Sequence, residues 1–530
     1  MERSIQRGIT VETSGDERVV AAAGDTQATQ MGQGDTLPKP VEEIERTVPM
    51  GREDPLPIRK LPKPFRPVHL IGPGIALTAL GVGLGETYQW PRLVIVFGPS
   101  VRWLFLLGVT VQLVVMLEMA RYAMATGESI FFGAARLRRP IMWFFFACAL
   151  LIYIWPGHMA VGAQSLENLT NGTLPWYPTA VVGLLLVGVI LTIVKYVYSV
   201  VETTLTVFVS ILVIGSAIIA SLVGSFGDLW DTLRGTVALG PGSPLPSDWF
   251  TDAWFPIVVG AVAFAGPSGM QQMWYSLWLR DKGAGMGDYI PKIAGLRGLR
   301  DVEKETIPAR GFTFDVDDKE EWSKWQGWRR WNFFDATVLF WGITMLTTII
   351  FTVMAISATK VSPETADLIR AGEREAALDG MAAAFGQVSG GWTKTVFLLL
   401  IGVIGWKQSF GLFDALSRGQ ADMTYYFAPK ARRWSMSRHY IFFVWFIILF
   451  GIGTLSWLGT EDGPGAILDI LAFLSAGVMG AYCILLLFVN NRLLQKKLRP
   501  GLISNIFLAI GVVLYLGGTL WSWLVMGALP

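Results

Sequence analysis

Long apolar stretches dominate this chain of 530 residues and constrain its fold more than any other feature. A helix needs about 20 mostly apolar residues to cross a bilayer, and in lipid only helices and closed barrels satisfy their own backbone. Only 16% of the residues are charged, against about 25% in ordinary soluble proteins. The pattern predicts an all-α membrane protein with eleven transmembrane helices, over about 68–97, 101–125, 140–165, 176–195, 199–224, 252–279, 332–358, 392–417, 439–459, 464–489 and 501–527.

The first and sixth of these stretches are interrupted near their middle by glycine and proline. Residues 71–86 read IGPGIALTALGVGLGE, and residues 260–272 read GAVAFAGPSGMQQ. Irregular backbone inside a membrane is tolerated only where protein buries it or where it lines a cavity. Paired interruptions in corresponding halves of a chain indicate the binding site of a secondary transporter.

The two interruptions supply the candidate binding residues. In the first, Gly83 and Gly85 allow the backbone to approach a ligand closely, and Glu86 places a carboxylate at membrane depth. We interpret Glu86 as a candidate metal ligand and a candidate proton carrier. The alternative is that it lies near the outer water layer or caps the next half-helix. The second interruption supplies the polar or sulfur-bearing candidates Ser268, Met270, Gln271 and Gln272. Its two glutamines could instead link neighbouring helices.

Other polar residues lie within the apolar stretches. His158 is a second candidate for proton relay, with a hydrogen-bonded packing role as the alternative. Glu118 and Arg121 lie three residues apart on one helical face, which predicts a local ion pair. Lys407 is expected to neutralise a carboxylate elsewhere, and Asp469 is expected near the outer surface.

The remaining segments predict the organisation of the chain. Residues 1–64 have no apolar stretch and are predicted to be a disordered cytoplasmic tail, before a transporter domain over 65–528. Lys and Arg concentrate in alternate loops, which predicts a cell-membrane protein with its N-terminus in the cytoplasm and its C-terminus outside. A cytoplasmic insert over 281–330 carries a tryptophan at every third position: Trp322, Trp325, Trp328 and Trp331. This spacing predicts either a helix on the inner leaflet or an extension of the seventh span.

Several functions are excluded by what the sequence lacks. The two cysteines, Cys148 and Cys483, lie in apolar stretches and cannot form a disulfide framework or a metal finger. We find no catalytic triad and no HExxH motif, and we predict neither an enzyme nor a bound cofactor. The net charge of +2 gives no indication of nucleic acid as a partner. The predicted partners are the lipid bilayer, a small cation or small solute, and a coupling proton or sodium ion.

Three motifs, in their order along the chain, resemble the Nramp-like branch of the amino acid–polyamine–cation superfamily. They are residues 72–74 (GPG), residues 120–128 (ARYAMATGE) and residues 490–500 (NNRLLQKKLRP). The resemblance covers about residues 65–527. It implies the LeuT fold, in which two inverted repeats of five helices, spans one to five and six to ten, enclose a site between broken helices 1 and 6.

The chain departs from that family at the metal site. The Asp-Pro-Gly-Asn motif of standard members falls on residues 83–86, so that Gly83 replaces the aspartate and Glu86 the asparagine. Their Met-Pro-His motif falls near residues 268–270, where Ser268 replaces the thioether that selects soft metals. The resemblance is therefore to a divergent relative with a hard-oxygen site, and not to a standard manganese or iron importer.

Three functional hypotheses follow from these residues. The first is a secondary active transporter that moves a cation, a divalent metal ion bound by Glu86, by alternating access. The second keeps the fold but carries a small organic solute, with Glu86 serving a coupling proton or sodium ion. The third is a non-transporting accessory subunit of a larger membrane complex.

Overall fold

The computed structural model describes residues 46–65, 81–193, 197–290, 310–373, 376–458 and 463–529, with only the backbone described over 197–206. Regular structure in these residues is helical apart from one two-stranded hairpin, β1 (Thr47–Val48) and β2 (Leu56–Pro57), in which Thr47 pairs with Pro57 and Val48 with Leu56.

The helices follow one another with short connections. In chain order they are α1 (Trp90–Phe97), α2 (Trp103–Thr126), α3 (Ile130–Leu137), α4 (Arg139–Tyr153), α5 (Gly157–Leu169), α6 (Trp176–Ile193), α7 (Val197–Val223), α8 (Phe226–Thr236), α9 (Phe255–Ala263), α10 (Gln271–Lys282), α11 (Lys319–Phe334), α12 (Ile343–Val361), α13 (Glu364–Arg370), α14 (Ala376–Ser389), α15 (Gly391–Phe427), α16 (Met436–Leu458), α17 (Gly463–Arg492), α18 (Leu502–Gly511) and α19 (Gly518–Leu520). Turns of π-helix occupy Gly85–Gln89, Asp335–Gly342, Val512–Gly517 and Trp521–Val525.

In the described residues, eight helical stretches are long and apolar enough to cross a membrane, or nine if residues 207–223 and α8 are counted as one bent span. They correspond to predicted spans two to five and seven to eleven. The sixth span is absent from that count because it is broken into α9, with 9 residues, and α10, with 12. Part of the first span lies outside the described residues. The exact number of eleven therefore stays a prediction.

Residues 46–65, which we name the strap, are folded onto the helices. Met50, Leu56 and Leu61 are buried, and the Arg136 guanidinium donates to the carbonyl of Met50 at 2.8 Å. The prediction that residues 1–64 form a disordered tail is therefore wrong for residues 46–64, because these few apolar side chains find a place between helices. Residues 1–45 lie outside the described residues.

The tryptophan-rich helix α11 runs without interruption through a π-helical turn into α12. Trp325, Trp328 and Trp331 are buried, and the indole of Trp328 donates to the carbonyl of Pro62 in the strap at 2.9 Å. The ring of Phe65 packs edge-on against Trp328. A helix resting on the inner leaflet is therefore wrong, and the extension of the seventh span is confirmed. In the insert, residues 291–309 lie outside the described residues.

A network of buried charges joins α10 to α15. Arg418 binds Asp414 at 2.9 Å and also binds Asp281. One residue before Asp281, Arg280 binds Asp422 at 2.5 Å. All of these side chains are nearly inaccessible to solvent, so that each charge depends on its partner in place of water. The network fixes the end of α10 that lies farther from the second interruption.

Candidate functional site

The second predicted interruption is confirmed, because residues 264–270 between α9 and α10 do not form a helix. Gly269 has φ of +58°, and a Cβ there would lie 2.5 Å from the hydroxyl of Tyr153. That hydroxyl donates to the carbonyl of Ser268 at 3.1 Å and accepts from the N–H of Met270 at 3.1 Å. Tyr153, on α4, thus replaces the helical hydrogen bonds lost at the break, and sequence reasoning missed it.

The described part of the first interruption begins at Gly81. Val82 and Gly83 are not helical, and a π-helical turn begins at Gly85. Glu86 is fully buried, and its Oε2 accepts from the N–H of Gly83 at 2.9 Å. This contact with a backbone N–H just before the π-helical turn agrees with the capping alternative, whereas the position of Glu86 relative to the outer water layer stays a prediction. Its other oxygen, Oε1, has no hydrogen-bond partner in the described part of the chain.

Lys407 of α15 reaches the same peptide group from the other side. Its ammonium donates to the carbonyl of Val82. The nitrogen of the same peptide group belongs to Gly83, and its N–H donates to the carboxylate of Glu86. The carbonyl and the N–H of a trans peptide point in opposite directions. The Val82–Gly83 peptide is therefore held between a cation and an anion, each facing the end of the peptide dipole that it stabilises. The expectation that Lys407 neutralises a carboxylate stays a prediction.

The two interruptions touch each other directly. A Cβ on Gly81 would lie 2.7 Å from the ring of Pro267, and one on Gly85 would lie 2.1 Å from the carbonyl oxygen of Phe264. A Cβ on Gly83 would lie 2.1 Å from the side-chain oxygen of Gln408. The alternating glycines therefore allow the two broken helices to pack against each other, in addition to any approach to a ligand.

The two glutamines of the second interruption differ in their surroundings. Gln272 donates to the carbonyl of Gln112 at 3.0 Å and accepts from the hydroxyl of Tyr482 at 2.9 Å, so its amide links neighbouring helices. Gln271 donates to the hydroxyl of Ser268 at 3.4 Å, and its oxygen has no partner in the described residues. Only Gln271 retains an amide oxygen for a ligand.

His158 of α5 lies against the second interruption. Its ring stacks on Phe264 with centroids 5.8 Å apart and planes 19° apart. The ring is buried, and neither of its nitrogens has a hydrogen-bond partner within the described ranges. His158 therefore makes a packing contact, but within the described ranges it lacks the hydrogen bonds expected of a histidine with only a packing role. Its role as a proton relay stays a prediction.

A second ion pair joins the first broken helix to α17. Asp469 binds Arg92 at 3.2 Å and accepts from the side-chain nitrogen of Gln89 at 2.6 Å. Asp469 is buried among protein side chains, and its expected place near the outer membrane surface stays a prediction. The signal in the sequence that could have revealed this pair is Arg92, a charged residue inside an apolar stretch, because such a charge requires a partner.

Acidic ligands are few around the two interruptions. In the described part of the chain, no group of three or more His, Cys, Asp or Glu side chains is placed to hold a metal ion. In the described part of the first break, Glu86 and Lys407 both bind the Val82–Gly83 peptide.

The fold resembles solved transporter structures, although no protein family model and no curated protein sequence matches this chain. The manganese transporter of Eremococcus coleocola, in complex with an aromatic bis-isothiourea substituted compound, superposes with a TM-score of 0.57 at 11% identity, over 85% of each chain. A mutant of that transporter superposes with a TM-score of 0.55 at 13% identity, over 86% of each chain. Mhp1, a nucleobase-cation-symport-1 family transporter, superposes with a TM-score of 0.49 at 15% identity, over 88% of this chain and 93% of its own.

The likeness to the manganese transporter is one of fold alone. Together with the apolar helices, it defines the chain as an all-α, multi-pass membrane protein with the LeuT-type fold, as the sequence predicts. The solved proteins that share this fold are transporters and not enzymes, in agreement with the prediction that this chain is not an enzyme.

Proposed function

We propose that this protein is a secondary active transporter, a divergent relative of the Nramp-like branch, that moves a small polar organic solute by alternating access. The cargo binds between the two interruptions, and the N-terminus lies in the cytoplasm. The fold supports transport, and the position of Lys407 supports an organic cargo over a metal ion.

The ammonium of Lys407 is the observation that supports an organic cargo over a metal ion. A cation bound by Glu86 would use the carbonyl groups freed by the first break, but the Val82 carbonyl already accepts from Lys407. A divalent ion 4–6 Å from that ammonium would be repelled by roughly 5–8 kcal/mol at an effective dielectric constant of about 20. Glu86 would have to offset this repulsion without a further set of acidic ligands, because the described residues contain no group of three or more His, Cys, Asp or Glu side chains placed to hold a metal ion.

The unpartnered polar atoms around the interruptions suit a solute that forms hydrogen bonds. Among the described residues they include Glu86 Oε1, Gln271 Oε1, Ser475 Oγ and both ring nitrogens of His158. A buried polar atom without a partner costs about 1–3 kcal/mol, so a solute that engages several of them gains binding energy. The contacts at Gly81 and Gly85 close the space between the breaks, and the cargo enters when the two helices separate.

The same geometry favours a proton over sodium as the coupling ion. A sodium ion at the first break would compete with Lys407 for the Val82 carbonyl. A proton needs only the Oε1 atom of Glu86, which is left over after Oε2 accepts from Gly83. In this proposal Glu86 is the proton carrier and not a metal ligand.

Thermal stability in detergent tests this proposal with Mn²⁺, Ca²⁺ and a panel of amino acids, amines and nucleobases. A solute at 100 times its dissociation constant stabilises the folded state by about 2.7 kcal/mol, which raises the unfolding temperature measurably. We expect a member of the organic panel to stabilise the wild type, with the shift reduced in Glu86→Gln and Lys407→Met. Glu118→Gln is the matched control, since Glu118 is a buried carboxylate paired with Arg121 at 2.7 Å, as predicted, on a different helix.

Two results would overturn the proposal. Stabilisation of the wild type by Mn²⁺ or Ca²⁺, lost in Glu86→Gln and kept in Glu118→Gln, would restore the hypothesis of a divalent cation transporter. Failure of every probe to bind, together with no uptake by proteoliposomes and a tightly co-purifying partner, would support the accessory subunit.

A further inference from the structure

Helix α8 has an apolar face that no described part of the chain covers. Phe226 is 81% exposed, Trp230 54% and Leu233 43%, at helical spacings of four and three residues. At 100° per residue these side chains lie within about 60° of one another, and Leu229 and Val237 extend the same face. The charged residues of the helix lie elsewhere on the wheel.

The opposite face of α8 is fixed firmly to the protein. Asp228 forms a capping box with Ser225 and an ion pair with Lys360 at the end of α12. The carbonyl of Thr232 accepts from the guanidinium of Arg102 at 2.9 Å. The orientation of α8 is therefore set by polar contacts on one side, and its apolar side is held outward.

The direction of α8 suits a membrane surface. It departs from residues 207–223 at an angle of 119° after a break of two residues. Its 11 residues span about 16 Å at 1.5 Å per residue. If residues 207–223 followed the membrane normal, α8 would lie about 29° from the membrane plane, and its two ends would differ in depth by about 8 Å.

The apolar face of α8 continues the lipid-facing surface of α7. Exposed aliphatic side chains follow α7 at spacings of three and four residues: Val207, Ile211, Ile214, Ile218 and Leu222. A membrane-spanning helix turns such a stripe towards the acyl chains, and Phe226 follows Leu222 after four residues. On α8, Asp231 and Arg234 occupy the flank between the exposed and buried faces, where headgroups and water would meet them.

We propose that α8 is an interfacial helix whose Phe226, Trp230 and Leu233 side chains are inserted into the bilayer at the end of the molecule where α7 ends. This places the membrane-surface helix of the protein at α8, and not at the tryptophan-rich α11 that the sequence suggested. The proposal is independent of the cargo and of the coupling ion.

Site-directed spin labelling in phosphatidylcholine vesicles tests this placement. Cys148 and Cys483 are first replaced by alanine, and a nitroxide is attached in turn to Trp230→Cys and Leu233→Cys. Ile214→Cys, 62% exposed on α7, is the lipid control, and Glu364→Cys on α13 is the water control. Power saturation compares collision with oxygen, which concentrates in lipid, with collision with a water-soluble nickel chelate.

We expect both α8 labels to shift towards oxygen, as the Ile214 label does, and away from the nickel chelate that reaches Glu364. Labels that behave like the Glu364 control would overturn the proposal by placing α8 in water. Labels that collide with neither reagent and show spin–spin broadening would also overturn it, since a second copy of the chain would then cover this face. Two labelling positions guard against the failure of a single variant to fold.

Discussion

Replacing Gly85 by alanine tests the direct contact between the two interruptions. The added Cβ would lie 2.1 Å from the carbonyl oxygen of Phe264, whereas carbon and oxygen atoms normally approach to about 3.3–3.6 Å. One broken helix must therefore retreat by more than about 1 Å. Overpacking of this kind costs about 1–3 kcal/mol, and the upper part of that range applies because a backbone carbonyl cannot rotate away as a side chain can. The helix preference of alanine offsets about 1 kcal/mol.

We therefore expect Gly85→Ala to lower the free energy of unfolding by about 2 kcal/mol, which is roughly a 30-fold change in the folding equilibrium. Gly453→Ala is the matched control, because Gly453 lies in α16 and, outside its own helix, no described residue comes within 4 Å of the place that a Cβ would take. It should be neutral or stabilising by up to about 1 kcal/mol. Thermal unfolding in detergent compares the two variants. Equal stabilities for Gly85→Ala and Gly453→Ala would refute the contact between the interruptions.

Two further predictions concern charged pairs away from the interruptions. Arg418→Met should lower the free energy of unfolding by about 3–5 kcal/mol, because it leaves two buried carboxylates without their cation; an unchanged unfolding temperature would contradict the network. At the strap, the hydrogen bond from Arg139 holds the pKa of Glu53 below its usual range, although partial burial opposes this shift. The pair therefore stabilises the strap fully above about pH 4.5, and this stabilisation is lost as the pH falls through the lowered pKa. Limited proteolysis of the strap should accelerate on acidification, and this acceleration should be absent in Glu53→Gln, with a small effect at neutral pH because exposed ion pairs are worth about 0.2–1 kcal/mol.

The fold and the second interruption followed from local patterns in the sequence. Apolar stretches of membrane length predicted the helices, and the Gly-Pro run at residues 266–267 predicted the second interruption, because both signals depend on neighbours along the chain. The pairing of Glu118 with Arg121 was predictable for the same reason, since three residues bring them to one helical face.

What the sequence left open depends on contacts between distant residues. Lys407 meets the Val82 carbonyl across 325 residues, and Asp469 meets Arg92 across 377. No spacing rule predicts such partners without the packing of the helices. The choice between metal ion and organic solute depended on one of these contacts, and so the sequence alone favoured the cation.

The tryptophans of α11 show how one pattern fits two environments. An aromatic side chain at every third position suits a membrane surface and equally suits a protein surface. Both surfaces bury the apolar ring and offer a hydrogen-bond partner to its polar edge. The strap supplied the partner here through the Pro62 carbonyl, and its own burial could not be predicted from a segment so poor in apolar residues.

The peptide group between Val82 and Gly83 has a consequence for how the protein responds to a proton. Its N–H donates to Glu86 and its carbonyl accepts from Lys407 of α15. Neutralising the carboxylate therefore also weakens the hydrogen bond between the carbonyl and Lys407. A single protonation event would thereby be communicated to α15 through one amide plane, without any rearrangement of the intervening side chains. Under the proposed function, a proton on Glu86 and the position of α15 are therefore linked through this one peptide group.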